Sequence, residues 1–210
     1  MITAHRIDDK FYFEIADSTL NRDILVVSRI SKSGAEVRAA QGYAGDQIGS
    51  SVIRFEKGPN NRIFMRKVSF RAYGADSTSS MYQSLKNSSI QPIAASFDIA
   101  AYTPSKNGSV IDVTTYINSD NDIFYFGSSA FKSRFGIGAQ QADRSYIQDV
   151  KSFPTNVEIK TVKTYAKAAQ SSGMGGGGGG GGRGGPRNAG GGGGGGGNAD
   201  PLRTSFGRIR

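Results

Sequence analysis

The sequence predicts a mainly β protein: antiparallel sheets, sandwich or barrel-like, with two short helices and a disordered glycine-rich C-terminal tail. Three observations carry that expectation. Between residues 10 and 165 short apolar–polar alternations recur, bounded by Gly, Pro, Asn and Asp, which is the pattern of half-buried strands joined by tight turns. Three- and four-residue apolar spacing surfaces only briefly. After Ala169 the composition collapses into two blocks of eight glycines, 175–182 and 190–197. Glycine loses the most backbone entropy on ordering and has no side chain to bury, so a coil is expected there. The implied organisation is a β-rich body over 1–170, a glycine-rich linker over 171–197 and a short tail over 198–210 that could begin a further element.

Lys10–Ile15 (KFYFEI) is an aromatic strand, and Asp17 is placed to cap the turn through Leu20. Ile24–Ile30 is a nearly continuous apolar run, which suits a central strand buried on both faces. Gly42, Gly45 and Gly49 then break the pattern into a loop. Val52–Lys57 and Arg62–Arg71 read as a hairpin across Gly58-Pro59-Asn60-Asn61, with Ile53 and Phe55 on one face and Arg54 and Glu56 on the other. Ser79–Asn87 is a short helix, with Met81, Tyr82 and Leu85 on one side and Pro92 as a stop. In the second hairpin Phe97, Ile99 and Ala101 alternate in one arm and Ile111, Val113, Thr115 and Ile117 in the other. Its loop, Thr103–Ser109, holds Asn107-Gly108, a pair that favours positive φ. A short helix near Ser128–Phe135 precedes two last strands, Arg144–Val150 and Val157–Tyr165, the latter rich in β-branched residues. The expectation is eight strands and two small helices.

A body of this size buries roughly two-thirds of the surface of its unfolded chain, so it needs no disulfide or metal staple. There is no cysteine, which excludes disulfides, thiolate zinc sites and a cysteine nucleophile. No run approaches the ~18 apolar residues of a membrane helix, and Met1–Lys10 has no apolar signal core. The chain is therefore expected to be soluble, or to be a piece whose export signal lies elsewhere. Of the net charge of +9, residues 171–210 carry +4, from five arginines against Asp200. The remaining excess permits anionic partners without demanding them.

Catalytic chemistry is thin. A metalloprotease H-E-x-x-H needs two imidazoles one helical turn apart, and His5, in what reads as a frayed terminus, is the only histidine. The same shortage removes a Ser-His-Asp arrangement. Asn118–Asp122 offers oxygen ligands, but the EF-hand's glycine and glutamate positions are Ile123 and Ser129, so an Asx-rich turn is favoured over calcium. Gly136-Ile137-Gly138 lacks the third glycine of a dinucleotide fingerprint. Carboxylate pairs remain formally possible among 17 acidic residues, and nothing singles one out. No cofactor, metal or catalytic residue is assigned, and the chain alone is not expected to be an enzyme. The one candidate surface is the basic-aromatic hairpin: Arg54, Lys57, Arg62, Arg66, Lys67 and Arg71, interleaved with Phe55, Phe64 and Phe70. Cations beside stacking rings suit anionic polymers, glycans or single strands. With a single RGG at 183–185 and no RNP-type motif, the balance falls against nucleic acid and toward a solvated face.

Four segments taken together carry a family resemblance: FYFEIADSTLNRDILVVSRIS (11–31), GSSVIRFEK (49–57), SSMYQSLKNSSIQPIAASFDI (79–99) and VIDVTTYINSD (110–120). They resemble the uncharacterised β-rich domain upstream of the catalytic domain in bacterial zinc-dependent metalloproteases of the met-zincin type. The resemblance covers most of residues 8–165. It implies an exported precursor: a signal peptide, a small leader domain, this domain, then a zinc domain with the histidine-rich helix. The parent would be periplasmic, cell-surface or secreted, and zinc would belong to the downstream domain. The expected partner is that protease domain, in the same chain or in trans, with this chain as a non-catalytic module that packs on it or presents substrate. The alternative is a stand-alone binder of anionic polymers or glycans through residues 54–71. The glycine blocks depart from the family pattern.

Overall fold

A computed structural model describes residues 2–32, 43–70, 78–124, 129–134, 136–168 and 201–209. The chain is mainly β and antiparallel. Its strands are β1 (Ile2–Ile7), β2 (Lys10–Ala16), β3 (Asp23–Arg29), β4 (Gln47–Gly58), β5 (Arg62–Val68), β6 (Ile93–Tyr102), β7 (Gly108–Asp112), β8 (Ile137–Gln140), β9 (Tyr146–Ser152), β10 (Val157–Lys167) and β11 (Pro201–Ile209). Short helices are α1 (Ser80–Ser88), α2 (Thr114–Asn118) and α3 (Ser129–Arg134). The strands form one sheet in the order β1-β2-β7-β6-β5-β4-β3-β11-β10-β8, with β9 also paired to β10. The sheet curls until its ends approach, and Ala4 N in β1 donates to Ser152 Oγ in β9 at 2.8 Å.

The inward face is one core. Ile15, Ile63, Ile111, Ile117 and Ile159 are wholly buried, beside Phe11, Phe13, Phe55 and Met65. Each such side chain contributes roughly 1.5–3 kcal/mol relative to exposure. The first hairpin is as the alternation predicts: Phe55 opposes Met65 inside and Arg54 opposes Arg66 outside. Its turn is made by Asn60 and Asn61, both at positive φ, which asparagine tolerates. Both expected helices are present, α1 with Ser79 Oγ accepting from Tyr82 N as N-cap.

Several expectations need correction. His5 does not fray: it sits in β1 opposite Tyr12, with Nε2 2.8 Å from Glu14 Oε2. Asp17 does not cap; its carboxylate pairs with Lys57 and the 3-10 turn Asp17–Thr19 lacks a side-chain cap. The run at 24–30 is buried on one face only, with Ile24, Val26 and Ser28 inside and Leu25 exposed, because its antiparallel neighbours leave the other face open. Gly49 lies within β4 opposite Ser28, not in a loop. On α1 Met81 points outward, 73% exposed.

In the second hairpin the left-handed residue is Lys106 (φ 54°), not Asn107 or Gly108. Gly108 is needed for space: a Cβ there would lie 2.9 Å from Thr103 Cγ2 and 3.1 Å from Ile15 O. The second arm stops at Asp112, and Val113–Ile117 turns into α2, with Ile117 N bonded to Val113 O. Residues 113 and 117 satisfy the helical i, i+4 spacing as well as the strand period, and tertiary burial of both favours the helix. The glycine-rich linker at 171–197 lies outside the described residues. Residues 201–209 lie in the sheet as β11, between β3 and β10.

Candidate functional site

The hairpin cations come first. Arg54 meets Asp23 at 2.6 Å, Lys57 meets Asp17 at 3.2 Å and Arg62 meets Asp98 at 2.7 Å. Arg66 meets Glu56 at 2.5 Å and also donates to Gln91 O, while Lys67 meets Asp122 at 2.9 Å. Arg71 lies outside the described residues. The five described cations therefore each carry a carboxylate, and four of those carboxylates come from outside the hairpin. The positive face counted in the sequence is largely compensated in the fold, and little field remains to draw in a polyanion.

The Asn118–Asp122 loop is an Asx turn: Asn121 Oδ1 accepts from Ile123 N and Phe124 N. Asp120 pairs with Lys132 and accepts from Tyr165 OH. Beneath it lies a residue the sequence reading passed over. Lys163, on β10, has no exposed surface, and its Nζ donates to Ser119 O and Phe124 O, both at 2.5 Å. Burial pushes its pKa from a lysine's ordinary 10.5 down to about 7; the Asp120 carboxylate opposes that and the Lys132 ammonium reinforces it. A lysine inside the β-branched run Thr161-Val162-Lys163-Thr164 was the available signal. The lysine fastens the loop to the sheet interior.

A groove of about 490 Å³ opens between β6 and α2, lined by Ser96, Phe97 and Asp98 on one side and Thr115 and Tyr116 on the other, with Asp112 at its end. Phe97 and Tyr116 stack edge-to-face, ring centroids 5.6 Å apart. Burial, with the Asp122 charge, holds the Tyr116 phenol protonated well above its ordinary range. Asp112 is buried enough to push its pKa up, yet hydrogen bonds from Thr114 and the nearby Lys10 outweigh burial and leave it lowered. Asp98 and Asp112 thus bring two acids to one groove. Each already has a cation, Lys10 beside Asp112 and Arg62 beside Asp98.

A third surface is apolar. Gln91 brackets Ser69, its Oε1 accepting from Ser69 N and its Nε2 donating to Ser69 O. The bracket holds residues 66–70 beside 90–93, and it leaves Phe70 54%, Ile90 84% and Ile93 48% exposed. No helix among the described residues is long and apolar enough to cross a membrane.

Fold and sites together define a β-rich domain built on one antiparallel sheet, whose described hairpin cations are each paired with a carboxylate. Residues 45–179 match the family model described as Domain of unknown function (DUF5117), and residues 1–33 match that described as Domain of unknown function (DUF5118). The chain belongs to the DUF5117 family. No curated protein and no solved structure matches it. The two matched segments share one sheet: the 1–33 segment supplies β1–β3, with β2 paired to β7 and β3 to β4.

Proposed function

We propose that this chain is a non-catalytic accessory domain of an exported bacterial zinc-dependent metalloprotease, which docks on the protease domain or presents substrate to it. The family resemblance of the four segments supports the parentage. The observation that carries the docking role is the exposure of Phe70, Ile90 and Ile93, on two segments that the Gln91–Ser69 bracket and the Ile93–Arg66 pairing hold side by side. Large apolar side chains left exposed on adjacent segments favour an interaction surface. Zinc and the catalytic groups belong, in this reading, to the downstream domain.

The test is co-expression of this chain with a met-zincin-type zinc domain. Association is expected, together with its loss on F70S/I90S while the thermal transition of this chain stays in place. No association, and no effect on the folding or activity of the zinc domain, would sink the proposal.

A further inference from the structure

We infer that the slot between β3 and β10 is a strand-acceptor site, held in this chain by a detachable occupant, residues 201–209. When that occupant leaves, the slot takes an extended segment of the same apolar–polar pattern from another polypeptide. The inference stands apart from the docking surface above and is measurable on this chain alone.

β11 is the strand that closes the sheet between β3 and β10. It is antiparallel to both, and on their far sides β3 is paired with β4 and β10 with β9. Neighbouring strands lie about 4.8 Å apart, so taking β11 away leaves two facing edges about 10 Å apart. At that spacing the edges do not pair with each other, and each presents a row of unpaired backbone groups to an incoming strand.

The occupant is held less continuously than its neighbours. Against β3 its register consists of Ser205–Arg29, Phe206–Ser28 and Ile209–Val26, with a shift before the last pair, whereas β3 and β4 pair without a shift from Asp23–Arg54 to Ser28–Gly49. On the other side the ladder ends at Thr164–Pro201, where a turn of a few residues would suffice to join the two arms. Residues 168–200, with both glycine blocks, make that connection instead. A glycine-rich tether of this length costs more to close than a turn and holds its end at an effective concentration on the order of 1 mM. β3 and β10 fall within the two family-matched segments, and β11 within neither. The matched body therefore supplies the slot, and the occupant comes from outside it.

Residue types fit the slot on both flanks. Phe206 stands between Ser28 and Ile159, and Ile209 between Val26 and Val157; all four of these neighbours are buried. Ser205 stands between Arg29 and Lys160, both exposed. A guest strand thus needs apolar residues at the two positions flanked by core and a polar one beside the first. A slip of one residue would exchange the two faces, so register is specified.

The probe is a dye-labelled peptide of residues 198–210, read by fluorescence anisotropy. Its partner is the full chain with a site-specific protease sequence in place of Gly190–Gly197, titrated before and after cleavage. Before cleavage the tethered strand competes at its millimolar effective concentration, so cleavage should tighten binding at least tenfold. A peptide carrying F206K should bind the cleaved protein at least tenfold more weakly. Equal binding before and after cleavage, no binding near 1 mM after it, or equal affinity of the F206K peptide would each overturn the inference. If cleavage causes aggregation, the free 198–210 peptide should suppress it and the F206K peptide should not; aggregation indifferent to both would overturn it as well. Register is read on the uncut chain, which has no cysteine of its own. R29C/S205C should crosslink on mild oxidation faster than R29C/T204C, and equal rates would refute the placement of the strand.

Discussion

Replacing Lys163 by methionine tests the buried lysine through the pH dependence of stability. The side chain is fully buried and its pKa is depressed from 10.5 to about 7. Between those values the unfolded chain holds a proton that the folded chain has released, so stability rises with pH across this window and is lowest below it. From pH 7 to pH 9 the released proton is worth about 2 kcal/mol, from about 1.4 kcal/mol per pH unit with the lysine half-titrated at the start. The neutral amine keeps two N–H donors, enough for Ser119 O and Phe124 O. Methionine fills similar space and has no proton to lose, so the stability difference between wild type and Lys163→Met moves in favour of wild type by that ~2 kcal/mol between pH 7 and pH 9. Urea denaturation of both proteins at matched pH, with unchanged slope m, isolates the residue because other titrations cancel in the difference. Parallel stability curves, or a difference that moves in favour of Lys163→Met as pH rises, would refute the assignment.

The loop of the second hairpin gives a contrasting pair. Gly108→Ala should cost about 1–3 kcal/mol through contact with Thr103 and the Ile15 carbonyl, whereas Lys106→Gly should be neutral or add up to ~1 kcal/mol by relieving a left-handed φ. Thermal unfolding of the two variants checks both signs. For the anionic-polymer alternative, the charge-neutral substitution E56Q/R66Q should leave the salt concentration of elution from heparin unchanged, since the pair contributes no net charge. A clear drop in that concentration would restore the hairpin as a polyanion surface.

Much of the β architecture was legible in the sequence because its signals were local. The hairpin over β4 and β5 combines period-two alternation with a turn rich in asparagine, and both act within a few residues. What escaped was set by distant parts of the chain. Whether Ile24–Ile30 is covered on one face or two depends on its neighbours across the sheet, not on its own apolar run. Val113 and Ile117 fit two periods at once, and only burial against the core decides between them. The hairpin cations looked free because four of their partners, Asp17, Asp23, Asp98 and Asp122, lie 31 to 55 residues away in sequence. The groove exists because a strand ends early, which no residue within β6 records.

The seam between the two matched segments passes through a single hydrophobic interior, and this bears on how the protein can be divided. Six core side chains, Ile2, Phe11, Phe13, Ile15, Ile24 and Val26, come from the first 33 residues and interlock with those from residue 53 onward. A clone started at residue 45 would bare the flanks of β4 and β7 and discard those six, leaving an aggregation-prone remnant. Supplied in trans, the missing N-terminal piece should rescue it by fragment complementation. Inheritance and engineering alike must therefore carry the two stretches together, as one folding unit under two family labels.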